Sequence, residues 1–210
     1  MISCFDKNNF TRLCDELAVK DKDLAHIITQ FGYPPLWNRS ANFETLIHII
    51  LEQQVSLASA KAALDKLKLR IKKITPENLL SLSDEEMKAC YFSRQKTGYA
   101  RHLSEQVLLK QFSISKLKTM HDDAVRTAMK QLKGIGDWTA DVFLMMALQR
   151  TDCFPTGDIA LIKSIRKVKK LAADSSKEEI LAVAKNWQPY RTIAAYLLWH
   201  NYLSERKPVK

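Results

Sequence analysis

This chain has very little glycine. Five glycines occur in 210 residues, at Gly32, Gly98, Gly134, Gly136 and Gly157, where average usage would place about fifteen. Three of them fall between residues 134 and 157. Glycine takes left-handed backbone without steric cost. The short window is therefore expected to need a backbone freedom that the remainder avoids, and the remainder is expected to be helical. The apolar spacing agrees. Phe43, Leu46, Ile47, Ile50 and Leu51 share one helical face, and Leu57, Ala60, Leu64 and Leu67 share another. Thr75 stands as a capping hydroxyl before the first-turn Pro76. Ser83 to Glu86 and Ser175 to Glu178 fit capping boxes. Further helices read at about 10–19, 21–31, 93–112, 122–132, 137–148, 158–170, 177–186 and 190–205. There is no alternating β-branched run and no Asn-Gly or Asp-Gly turn. The chain reads as all-α, with roughly ten helices and short joints.

Apolar residues make up 46% and charged residues 27% of the chain, which suits a packed core and not a disordered coil. No apolar run approaches the roughly 18 residues that a bilayer span needs. The opening Met1-Ile2-Ser3-Cys4-Phe5-Asp6 turns polar too soon for a secretory signal. The expectation is a chain that is not secreted and has no membrane partner. Thirty-three Lys+Arg against 23 Asp+Glu leave a net charge of +10. Such a surplus suits nucleic acid, because neutralised phosphates release counterions, although a merely solvated lysine-rich surface accounts for it equally well. Basic clusters at 66–73 and 163–170 are of this ambiguous kind. Cys4, Cys14, Cys90 and Cys153 are too far apart for a metal or redox motif and read as buried free thiols. His48, His102, His121 and His200 have no metal-like spacing and read as bystanders.

The segment Asp122 to Leu148 reads as helix, tight turn, helix, centred on Leu132-Lys133-Gly134-Ile135-Gly136-Asp137-Trp138-Thr139-Ala140. Two glycines around one apolar residue allow the turn while Ile135 plugs the space between the helices. Amides at the start of the second helix lie at the positive end of its dipole, a ready phosphate site that positions DNA without reading sequence. An ordinary αα-corner remains the alternative. Beyond it come Phe154-Pro155-Thr156-Gly157-Asp158 and a further helix. Asp158 sits where an N-cap belongs, and the dipole there favours negative charge. By spacing alone it is only a cap.

The full pattern resembles the helix-hairpin-helix (HhH-GPD) superfamily of DNA base-excision glycosylases. Gly134-Ile135-Gly136-Asp137-Trp138-Thr139-Ala140, Phe43 to Ser56 with Gln53-Gln54-Val55-Ser56, and Trp187-Gln188-Pro189-Tyr190-Arg191 with Tyr196 and Trp199 look like the 3-methyladenine DNA glycosylase II type. The resemblance covers about residues 40 to 200. It implies two interleaved helical subdomains with a cleft between them. One runs over about 35–150 and ends in the hairpin at 122–148; the other combines about 1–34 with 151–210. It makes Asp158 the catalytic carboxylate, which would stabilise the positive charge that builds on a sugar losing its base. Trp138, Trp187 and Tyr190 become the aromatics that stack on a cationic alkylated purine, with core packing the alternative for Trp187 and Trp199. Gln54, with Gln53 beside it, would fill the gap left by an everted base, and Gly134, Gly136 and Thr139 would meet the DNA backbone. Members that also cut the backbone carry a lysine where Trp138 stands, so a monofunctional hydrolase is implied. No cysteine follows Cys153, so no iron–sulfur cluster is expected. No organic cofactor is required, and family hairpins can hold a monovalent cation on backbone carbonyls. The expected partner is damaged duplex DNA, met by a monomer lacking the extra N-terminal β domain that some members carry. It would work in the cytoplasm at the nucleoid if bacterial, and in the nucleus if eukaryotic. Two other readings stay open: a glycosylase for oxidised or mismatched bases on the same scaffold, and a non-catalytic DNA-binding module.

Overall fold

The computed structural model describes residues 3–206. Among the described residues there are twelve α-helices, one 3-10 helix over Ser115–Thr119 and no strand; Cys4 and Arg150 form an isolated antiparallel bridge. In chain order the helices are α1 (Phe10–Lys20), α2 (Lys22–Phe31), α3 (Phe43–Glu52), α4 (Leu57–Ile71), α5 (Pro76–Leu80) and α6 (Asp84–Ala89). Then follow α7 (Arg94–Leu108), α8 (Asp122–Lys130), α9 (Asp137–Met146), α10 (Ile159–Val168), α11 (Lys177–Lys185) and α12 (Arg191–Ser204). The chain divides into two compact units. The first joins the chain up to Asn38 with that from Gln149 onward, and the second is Arg39–Leu148.

The first unit is built round α12. Every residue from Thr192 to Trp199 is buried, so this helix is enclosed on all sides, by α1, α2 and α10. Phe5 and Phe10 meet Tyr196 edge-on with ring centroids 5.7 and 5.6 Å away. The turn between α1 and α2 is locked by Asp21, which caps α2 through the Asp23 and Leu24 amides and also receives Lys169 Nζ (2.6 Å) and Trp187 Nε1 (2.7 Å). Burial alone would push the Asp21 carboxyl up. Hydrogen bonds from Lys169 and Trp187 outweigh it, and the group sits below its ordinary range.

The second unit is built round α3, with seven of its ten residues buried against α4, α7 and α9. Arg39 pairs with Glu52 through two parallel bonds of 2.9 and 2.6 Å, fixing the entry to α3 against its last turn. The α8–α9 hairpin is tied side to side by Arg126 Nε to Asp141 Oδ1 (2.8 Å) and by Lys130 to Asp137 (2.8 Å).

Scarcity of glycine does not mean that left-handed backbone is avoided. Gln54, Lys72, Tyr91, Lys110, Gln149 and Lys170 all have φ between 52° and 65°. At Tyr91, Lys110 and Lys170 the next amide reaches back five residues, from Phe92 to Met87, Gln111 to Gln106 and Leu171 to Arg166. These are Schellman ends with a bulkier residue where glycine is usual. They also explain why α7 stops at Leu108, short of the expected 112. Two further expectations change. The second capping box is Ser176 with Glu179. Ser175 is drawn into the preceding turn, its N–H donating to Ala172 O and its carbonyl accepting from Arg166. Of the four free thiols, Cys14, Cys90 and Cys153 are buried but Cys4 is exposed.

Gly134 is the left-handed position that glycine alone can fill. Its φ is 78°, and a Cβ built there would lie 2.1 Å from the Tyr99 ring. Two substitutions should therefore act in opposite senses. Lys110→Gly, at an exposed C′ position, is expected to raise stability by about 0.5–1 kcal/mol, read as a higher urea midpoint at unchanged slope. Gly134→Ala should cost about 2–4 kcal/mol through strain and overpacking. Asp21→Asn should cost about 1–3 kcal/mol at neutral pH. A carboxyl held below its ordinary range contributes above that range and loses the contribution as pH falls through its folded value. The gap between wild type and Asp21→Asn, followed by urea unfolding, should therefore close as pH drops below about 4.

Candidate active site

The hairpin turn is closed by the protein's own donors. Ile135, buried between the helices, donates its N–H to Leu132 O (3.2 Å). Gln53, at the end of α3, donates one amide nitrogen to Gly134 O (2.9 Å) and to Thr139 Oγ1 (3.0 Å). His102 Nδ1 accepts the Lys133 amide at 3.2 Å. The Gln53 and His102 bonds brace the turn from the end of α3 and from α7. Gly136 caps α9 and, having no side chain, puts no acceptor in front of its first amides. It is exposed, and the positive end of α9 is directed that way.

These contacts revise three sequence-based expectations. Thr139, 2% exposed, is an internal brace and not a DNA-facing group, and the half-buried Gln53 commits its amide nitrogen to the hairpin. His102 is no bystander. Gln54, in contrast, is exposed and its backbone is left-handed at φ 57°, so the turn after α3 presents the second glutamine while it tucks the first one in. Val55 and Leu57 stand exposed beside it. Trp138, the second residue of α9, is half-buried.

In the first unit, Asp158 caps α10. A turn closed by Asp158 N–H to Pro155 O (2.9 Å) delivers it from the Phe154–Gly157 loop. Its Oδ1 accepts two bonds, from the Leu161 amide (2.8 Å) and from the indole Nε1 of Trp199 (3.1 Å). The residue is only partly covered, and the neighbouring Ile159 is 71% exposed. This is a fixed carboxylate at the positive end of a helix, open on one side. It is suited to stabilising a cation that forms against it.

Of the three aromatics expected with Asp158, the two in this unit part company. Trp187 is 1% exposed, packs on Phe154 with centroids 6.0 Å apart and donates its indole N–H to Asp21. It is corrected from a base-stacking group to a core residue, because its one polar handle is spent inside the unit. Tyr190 is half-buried at the start of α12, with Lys20 Nζ 5.8 Å from its ring centre. Burial and the Glu16 carboxylate beside it hold its phenol above the ordinary range, so the group stays protonated. Lys163 is exposed on α10, while Arg166 donates to Ser175 O at 2.7 Å and braces the following loop. Among the described residues no group of three or more His, Cys, Asp or Glu is placed to hold a metal ion, and no helix is long and apolar enough to cross a membrane.

Sequence reasoning missed the second partner of Asp158. Thr192, Tyr196 and Trp199 recur at i, i+4 and i+7 and so share one face of α12. That spacing was legible; what the face packs against was not.

DNA-3-methyladenine glycosylase 1 of Schizosaccharomyces pombe is 29% identical over 171 residues, 75% of this chain and 71% of that protein. YfjP of Bacillus subtilis is 31% identical over 126 residues, 60% of this chain; the match spans 44% of YfjP, less than half its length. The solved structure of S. pombe 3-methyladenine DNA glycosylase (Mag1) in complex with abasic-DNA superposes with a TM-score of 0.79 at 26% identity, covering 90% of this chain and 95% of that one. The profile of the HhH-GPD superfamily base excision DNA repair proteins matches residues 47–189, more than half of the sequence. The chain belongs to the HhH-GPD superfamily of base excision DNA repair proteins.

Proposed function

We propose that this chain is a monofunctional DNA glycosylase that removes alkylated purines of the 3-methyladenine type from duplex DNA, the first step of base excision repair. The observation that carries the reading is Asp158: a partly open carboxylate at a helix N-terminus, its Oδ1 held by a backbone amide and an indole N–H. The name of the S. pombe relative supports the substrate class. Abasic-DNA, bound in the structural neighbour, is what such a reaction leaves.

In this reading the exposed, glycine-capped start of α9 takes a backbone phosphate, and Gln54 fills the space vacated by an everted nucleotide. Trp138 and Tyr190 offer π-faces to a base that alkylation has made cationic, each worth about 0.5–2 kcal/mol. The C1′–N bond breaks with its electron pair leaving on the purine. Positive charge gathers on the sugar opposite Asp158, and water adds at C1′ while its proton passes to the carboxylate or to solvent. Trp138 stands where the resemblance puts the lysine of backbone-cutting members, which supports hydrolysis without strand cleavage. The net charge of +10 supports a salt-sensitive grip on the duplex.

The test is release of free base from methylated duplex DNA under single turnover, with strand breaks scored before and after heating. Release should occur, breaks should appear only after heating, and Asp158→Asn should lower the rate by about 10²–10⁴-fold while duplex binding persists. Release only from oxidised or mismatched duplexes would transfer the protein to that substrate class. Binding without release from any substrate would make it a DNA-binding module with Asp158 only a cap.

A further inference from the structure

Helix α12 touches the Asp158 segment at three levels. Before the loop, Arg191 grips Asp152 with Nε to Oδ1 at 2.7 Å and Nη2 to Oδ2 at 2.9 Å. Next to it, Thr192 N–H donates to Thr151 O, and Thr192 Oγ1 accepts the Cys153 amide, both at 2.9 Å. After the loop, Ser164 of α10 donates to Leu198 O at 2.7 Å and accepts from Asn201. Between these clamps Trp199 Nε1 donates to the Asp158 carboxylate itself. The indole is held in turn. It is 8% exposed and crosses Trp37 at 78° with centroids 6.3 Å apart. It also lies 5.8 Å from Tyr196, whose hydroxyl donates to Trp37 O at 2.8 Å.

We propose that Trp199 is a positioning residue for the glycosylase reaction, its indole N–H setting the rotation of the Asp158 carboxylate. The proposal rests on the reading of Asp158 given above. The second donor on the same oxygen, fixed in a rigid aromatic stack, restricts rotation of the carboxylate about its Cβ–Cγ bond and so helps to set the direction of Oδ2. Helix capping does not need this second bond, since the other side-chain-capped helices among the described residues, except α2, are capped without an indole donor. A preorganised carboxylate acts only on the charge that develops in the transition state, so its alignment belongs to rate and not to ground-state binding.

Trp199→Phe keeps the aromatic packing and removes the N–H. Its single-turnover release of methylated base should fall about tenfold or more, while affinity for an abasic duplex and the thermal midpoint stay close to wild type. Benzothienylalanine at position 199, an isostere of Trp without the N–H, should reproduce the loss if Phe perturbs folding. In an Asp158→Asn background either change should leave the residual rate where it was, because the residue acts through that carboxylate. An unchanged rate in both Trp199 variants, with Asp158→Asn impaired, overturns this inference and leaves the assigned function standing. A fall in rate matched by an equal fall in affinity and melting temperature in both variants overturns it as well, and makes Trp199 a core residue alone. Full activity in Asp158→Asn overturns both readings.

Discussion

Helix α12 is apolar nearly all the way round, and a helix of that kind must be enclosed. Its enclosure organises the first unit. Phe5, Phe10 and Trp37 pack on Tyr196 from one stretch of the chain, and Ser164 on α10 binds its backbone from another. The candidate carboxylate is positioned as a consequence. The segment leading into Asp158 has no regular structure of its own, yet it and the α10 helix that follows are bonded to α12, as is the carboxyl group itself. Burial of apolar surface supplies the driving force, and the polar bonds decide which of the compact arrangements is adopted.

The second unit solves a different problem. A hairpin that is to present its amides outward must be held from behind, since its own turn has few side chains to hold it with. Three groups from outside the hairpin do this: Gln53 on Gly134 and Thr139, His102 on Lys133, and the Tyr99 ring against the Gly134 α-carbon. Positive φ at Gly134 and the approach of Tyr99 are a single constraint, for a side chain there would meet both the backbone strain and the ring. At Gln54, Lys72, Tyr91, Lys110 and Lys170 positive φ is borne by exposed non-glycine residues, where strain of about 1–2 kcal/mol is tolerated.

Twin aspartate–tryptophan pairs show why position outweighs residue type. Asp21 and Asp158 are both N-caps, and each receives an indole N–H, from Trp187 and Trp199. Asp21 is further covered by Lys169, with its side chain 11% exposed, and it serves the joint between α1 and α2. Asp158 is left partly open beside an exposed isoleucine. The same chemical pairing is a structural rivet in one place and a candidate reactive group in the other.

What was legible in the residues was local. Helical periodicity, the capping residues Thr75, Ser83 and Asp158, the Gly-Ile-Gly turn and the family likeness all follow from neighbours within a few positions, where backbone sterics and short-range hydrogen bonds decide. Helix ends in left-handed lysine or tyrosine escaped, because that strain is chosen by the packing of the helices and not by the residue that bears it. The inward brace made by Gln53 and the division of roles between Trp187 and Trp199 were equally invisible. Gln53 turns inward and Gln54 outward, and Trp187 caps a buried network while Trp199 holds the candidate carboxylate. Partners 41 and 166 residues away in sequence select those roles. A chain carries the donors and acceptors, but a hydrogen bond between distant residues exists only once apolar burial has brought them within 3 Å.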